Sequence, residues 1–297
     1  MTPFRCSVCD QLLFFENSTC LGCGSALGFD PSSRRLEALR DDLGAWIAAA
    51  DPERRFVSCA NRELARCNWL VPAGDPEVLC RSCRLTTVRP SDDDPGGLQA
   101  FAEAETAKRR LLHQLFSLGL EIVDRREDPT GGLAFEMLSS RNQSVITGHE
   151  DGVITLDLSE SDDVHREFVR QQLGEAYRTV LGHLRHEIGH YYWPILVVDA
   201  GRLDEFRGLF GDERISYEDA KQAHYSDDGA GTVAWSVGHV SEYATMHPWE
   251  DWAETFAHYL HIRDGLETAA SFGVVVSDPA DSVGHAGFDA PAGLEVS

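Results

Sequence analysis

Two histidines and a glutamate set the chemistry of this chain: His186-Glu187-Ile188-Gly189-His190, an H-E-x-x-H run. On a helix with about 3.6 residues per turn, residues four apart stand one above the other. Both imidazoles then reach one metal ion, and Glu187 projects beside it as a base for water. A bare five-letter match arises by chance, so its context matters. Val164, Phe168, Leu173, Tyr177, Leu181, Leu184 and Ile188 recur at steps of three to five and predict an apolar helical stripe. His183, His186, Glu187 and His190 fall on another face. Gly182 marks a break between two helices.

A third ligand must come from elsewhere. The metzincin pattern needs Gly and His where Trp193 and Leu196 stand, which excludes that class. Downstream lies His247-Pro248-Trp249-Glu250-Asp251-Trp252-Ala253-Glu254-Thr255-Phe256-Ala257. Pro248 suits a first helical turn, and Glu250 and Asp251 suit the positive end of the helix dipole. Glu250 and Glu254 are one turn apart. The stretch resembles the E-x-x-A-[DN] segment of gluzincin peptidases. That resemblance implies Glu250 as the third zinc ligand and Glu254, longer than the usual Asp or Asn, as the support of a ligating histidine. The reverse assignment stays open, and His247, His258 and His261 are rivals better read as rim residues. For a donor to the oxyanion, the candidates are Tyr191, Tyr192, Tyr243, Tyr259 and His247; Tyr191 and Tyr192 read more simply as packing residues.

All eight cysteines lie between Cys6 and Cys83. Cys6, Cys9, Cys20 and Cys23 form two CxxC knuckles, the pattern of a zinc ribbon. Cys59, Cys67, Cys80 and Cys83 predict a second four-cysteine site, although only Cys80 and Cys83 form a knuckle and interleaved pairing is an alternative. The chain begins without a signal-peptide pattern and has no long uninterrupted apolar run, so a cytoplasmic location is expected, with reduced thiols that hold structural zinc rather than disulfides.

The formal net charge of −23 is unevenly placed. Residues 1–90 hold equal numbers of acidic and basic side chains and no Lys, so the whole excess falls on the remainder. Such a surface repels phosphate backbones, which disfavours a nucleic-acid partner. A protein partner recruited through the ribbon fits better, and no membrane is expected.

The expected architecture is α+β: a zinc-ribbon domain over 1–90, a linker over 91–97, a zincin-like metallopeptidase domain over 98–264, and a Gly-, Ala- and Asp-rich segment over 265–297. Residues 34–50 predict a short helix with Leu36, Leu39, Leu43 and Trp46 on one face. Residues 98–119 predict another. Strands are expected at Leu133–Met137, Val145–Thr147 and Val153–Leu158, with a turn over Gly148–Gly152, in a small antiparallel sheet whose edge holds a substrate peptide. The long stretch between His190 and Glu250 reads as a mixture of cleft wall and packing helices, helical over 215–224.

The run His183–Trp193, the segment Trp249–Ala257 and Cys67-Asn68-Trp69-Leu70-Val71 together resemble a bacterial family of zinc-binding metallopeptidases with an amino-terminal zinc ribbon. The resemblance spans 1 to roughly 265. It implies a cytoplasmic bacterial zincin but no particular substrate, and a further helical segment at the C-terminal end, so 265–297 is expected to be truncated, divergent or disordered. The motifs together lead us to expect one catalytic zinc ion and two structural ones, with a peptide or protein as substrate. Two other readings use the same residues: a different zinc amide hydrolase, and a non-catalytic zinc-binding adaptor.

Overall fold

The structure is a computed structural model, and it describes residues 3–141, 144–162, 166–168, 170, 178–226 and 235–274. It mixes helix and sheet, with the cysteine-rich region first. The hairpin β1 (Phe4–Arg5) and β2 (Leu12–Leu13) carries the first knuckle. A five-stranded antiparallel meander follows: β3 (Ala26–Asp30), β4 (Arg35–Asp42), β5 (Ala45–Ala48), β6 (Asp51–Ser58) and β7 (Leu70–Pro72).

The helix expected over 34–50 is therefore a β-hairpin. Its strand β4 is covered on both faces. Leu36 and Ala38 enter the main core, while Leu39 packs with Ala48, Phe56 and Leu70 on the other side. Burial on both faces removes the alternation that marks a strand and imitates helical spacing. Leu43 and Gly44 make the turn at φ 54° and 91°, and Leu43 is fully exposed.

After β8 (Thr86–Val88), Asp94 caps α1 (Pro95–Ser117) by accepting from Gly97 N–H at 3.0 Å. Residues 95–97, read as linker, are thus its first turn. The second sheet has the order β10-β11-β9-β8, with β9 (Ala134–Leu138), β10 (Gly148–Glu150) and β11 (Val153–Asp157). It is mixed rather than antiparallel: only β10 and β11 pair antiparallel, and β9 is parallel to both β11 and β8. Val145–Thr147 is not a strand. Asp151 and Gly152, at φ 46° and 82°, form a two-residue turn that pairs Glu150 with Val153 and draws the strand into the stretch expected to turn.

Of the apolar stripe, Val164, Leu173 and Tyr177 lie outside the described residues, and Phe168 is exposed. Helix α2 (Val180–Trp193) starts before Gly182, not at it, because Thr179 caps it by accepting from Gly182 N–H at 3.0 Å. Then come α3 (Leu203–Phe210), α4 (Tyr217–Tyr225) and α5 (Pro248–Ser271). Helix α5 runs past residue 264; 275–297 lie outside the described residues. No described helix is long and apolar enough to cross a membrane.

One apolar core joins the cysteine-rich part to the helices, with α1 between them. On one side, Phe15, Phe29 and Trp69 pack against α1 through His113 and Phe116. Deeper, the fully buried Lys108 and Glu105 pair at 2.6 Å, and Glu105 accepts from Thr86 of β8. On the other side, Gln114 donates to Leu260 O of α5 at 2.5 Å and accepts from Arg185 of α2 at 3.0 Å.

The α2–α5 crossing is closest at Gly189. A Cβ there would sit 3.0 Å from Ala253 Cα and 3.3 Å from Phe256 Cβ, and Trp252 Nε1 donates to Gly189 O at 2.8 Å. Overpacking costs about 1–3 kcal/mol, against at most about 1 kcal/mol gained by adding Ala to a helix. We expect Gly189→Ala to lower the urea midpoint of unfolding; a midpoint at or above that of the parent would show that the crossing widens freely.

Candidate metal centre

The start of α5 fixes where its carboxylates stand. His247 caps the helix, its Nδ1 accepting from Trp249 N–H at 3.0 Å. That bond leaves the proton on Nε2, which faces Ile215 O at 3.3 Å. With Pro248 first in the helix, Glu250 falls in the first turn and Glu254 one turn on.

Three side-chain atoms able to bind a metal converge at the crossing. His186 Nε2 lies 3.2 Å from His190 Nε2. Glu250 Oε2 lies 3.0 Å from His186 Nε2 and 3.5 Å from His190 Nε2. A tetrahedral zinc with bonds of about 2.0–2.1 Å separates its ligands by about 3.3 Å. Glu250 Oε2 is buried with no hydrogen-bond partner, whereas Oε1 accepts from the Tyr217 hydroxyl at 2.9 Å. Two imidazole nitrogens and a carboxylate oxygen that no hydrogen bond satisfies are a donor set that fits a zinc ion.

Glu254 touches the other side of His186, 2.8 Å from Nδ1, and accepts from Ser241 Oγ at 2.6 Å. Between two carboxylates His186 binds a proton tightly. Burial alone would weaken that, yet Glu250 and Glu254 outweigh it and raise the pKa to about 10. Burial pushes Glu250 up, but the adjacent His186 and His190 outweigh it and hold the carboxylate well below its usual range. The cluster thus favours a positive charge at its centre. Glu187 is buried, which raises its pKa, while His186 and His190 pull the other way.

The other sequence candidates divide. Tyr243 stands at the site, its ring 5.9 Å from that of His186. Tyr191 and Tyr192 pack on each other at 5.0 Å, with their hydroxyls on the backbone of Val123 and Glu121. His247 is the cap just described. His258 faces Glu254 O at 2.8 Å, and His261 faces Arg185 Nη1 at 3.1 Å; Tyr259 is half exposed. Sequence reasoning missed Tyr217, Ser241 and His149. The His149 ring lies parallel to His190 at 6.3 Å, and its Nε2 accepts from Gly152 N–H. Burial, then His190, lowers His149 to about 4. Only the Asp-Gly turn after it could have placed His149, and nothing in the spacing marks Tyr217.

The cysteines form two tetrads, Cys6/Cys9/Cys20/Cys23 and Cys59/Cys67/Cys80/Cys83, each with its sulfurs within 4.8 Å of one another. The Cys6–Cys23, Cys9–Cys20 and Cys67–Cys80 sulfurs are 3.7, 3.6 and 3.6 Å apart, too long for disulfides. Zinc–sulfur bonds of about 2.3 Å set tetrahedral sulfurs about 3.8 Å apart. Cys9 and Cys23 are exposed, whereas the second tetrad is wholly buried.

Comparison with known proteins adds the family. A zinc-ribbon domain matches residues 3–94. A family described as "Putative zinc-binding metallo-peptidase" matches residues 97–292. Uncharacterized proteins of Mycobacterium tuberculosis and Mycobacterium bovis are 51% identical over 293 residues, covering 98% of this chain and 80% of each relative. No solved structure matches the chain. The chain belongs to that zinc-binding metallopeptidase family, with a zinc-ribbon domain ahead of the peptidase part.

Proposed function

We propose that the chain is a gluzincin-type zinc peptidase that hydrolyses peptide bonds of a peptide or protein substrate. The observation that carries this reading is the convergence of His186 Nε2, His190 Nε2 and Glu250 Oε2 to within 3.5 Å of one another on the two crossed helices, with Glu187 buried on the same helix as the histidines. His186, His190 and Glu250 would hold the catalytic ion, and the two tetrads would hold two structural ones. When bound, zinc supplies a water of near-neutral pKa and polarises a carbonyl. Glu187 would take a proton from water held there. Its buried setting favours the protonated carboxyl, so Glu187 holds the proton until the leaving amine nitrogen accepts it. Glu254 accepts from His186 Nδ1–H, which would leave the Nε2 lone pair for the metal. Tyr243, whose ring lies 5.9 Å from that of His186, would donate to the developing oxyanion. The edge strand β10, whose His149 faces His190, would pair with an extended substrate. The knuckles expose Val8 and Leu21, a surface through which the ribbon would recruit a protein.

Glu187→Gln should keep its zinc and lower cleavage of a mixed peptide library by about 10²- to 10⁴-fold; undiminished cleavage would sink the mechanism. Glu250→Ala should lose one zinc per chain outright. Glu254→Ala should keep it at saturating zinc with affinity weakened about 10- to 100-fold. If the two variants behaved the other way round, Glu254 would be the ligand.

A further inference from the structure

Helix α4 has no buried residue, yet its first residue reaches the metal centre. The Tyr217 hydroxyl donates to Glu250 Oε1 at 2.9 Å. Its ring packs on His247 at 5.2 Å, the residue that caps the helix carrying Glu250. Ser216 Oγ caps α4 itself by accepting from Asp219 N–H, which sets Tyr217 at the first helical position. Tyr243 also stands beside the Tyr217 hydroxyl.

The two oxygens of Glu250 are consequently unlike. Oε1 holds the tyrosine proton. Oε2, buried and without a hydrogen-bond partner, is the one between the two histidines. A carboxylate without such a restraint can bind a zinc ion through one oxygen or chelate it through both. Chelation would use the place that a catalytic site must leave open for water. A hydroxyl bound to one oxygen lowers the basicity of that oxygen and fixes the carboxylate plane.

We propose that Tyr217 is a positioning residue that restricts Glu250 to coordination through Oε2 alone and so keeps one place on the metal free for water. This rests on the reading of His186, His190 and Glu250 as ligands. It adds a residue from a third element, α4, to a centre otherwise built on the α2–α5 crossing, and it makes one hydroxyl set both the ligand geometry and the seating of this exposed helix.

Tyr217→Phe keeps the ring on His247 and removes only the hydroxyl. The test uses the full chain, with cobalt(II) exchanged into the catalytic centre and zinc affinity read by chelator competition. In the parent, the cobalt d–d bands should have the intensity of four-coordination. In Tyr217→Phe they should weaken as the coordination number rises, and zinc affinity should fall about 10-fold or more, with the circular dichroism spectrum unchanged. A purely structural role of Tyr217 would move neither readout. Identical cobalt spectra and zinc affinities in parent and variant would overturn the role of Tyr217 and leave the peptidase reading standing. A parent chain that takes no metal at His186 and His190 would overturn both.

Discussion

The contact between Gly189 and Ala253 is the constraint on which the centre depends. The imidazoles and the Glu250 carboxylate, on two helices, come within 3.5 Å because the backbones approach more closely than ordinary side chains allow. Gly189 supplies that approach from inside the histidine pair, and Ala253 supplies it from between Glu250 and Glu254. The bond from Trp252 Nε1 to Gly189 O fixes the sliding of one helix along the other. Everything chemical follows from this register: Glu250 meets the Nε2 side of His186, and Glu254, one turn on, meets the Nδ1 side.

The crossing is itself stapled from below. Gln114 of α1 bonds both helices at once, through Arg185 next to His186 and through Leu260 O. Arg185 continues to Asp264 at 2.8 Å. The other end of α1 is committed to the cysteine-rich part: Glu105 Oε2 lies 3.8 Å from Cys83 Sγ, and Arg109 donates to Ala65 O at 3.1 Å. Removing one partner of a fully buried ion pair such as Glu105–Lys108 costs about 3–5 kcal/mol. The second tetrad and the histidine pair are therefore both tied to α1, and the matched zinc-ribbon region is built into the core rather than tethered beside it.

What the sequence reveals about this centre is what is local. His186, Glu187 and His190 are legible because a helix turns four-residue spacing into a shared face. The cysteine tetrads are legible because knuckles bring paired thiolates together. Pro248 and the acidic first turn announce the start of α5, and the resemblance to the gluzincin segment singles out Glu250 there. The illegible parts are those set by tertiary contact. Tyr217 lies far from either motif in sequence and reaches Glu250 only because His247 ties Ile215 to the α5 cap. The hairpin over 35–48 imitates a helix because both its faces are covered, and β10 hides in a stretch whose Gly and Asp read as turn. Gly189 is visible in the motif, but its purpose appears only when Ala253 lies against it.

The most direct measurement is zinc per chain by elemental analysis, on the parent protein and on a double variant carrying His186→Ala and His190→Ala. With two tetrads and one site on the crossed helices, the count should drop from about three to about two. An equal count in both proteins would contradict the account, since it would mean that the histidine pair holds no metal and that the convergence of His186, His190 and Glu250 serves packing alone.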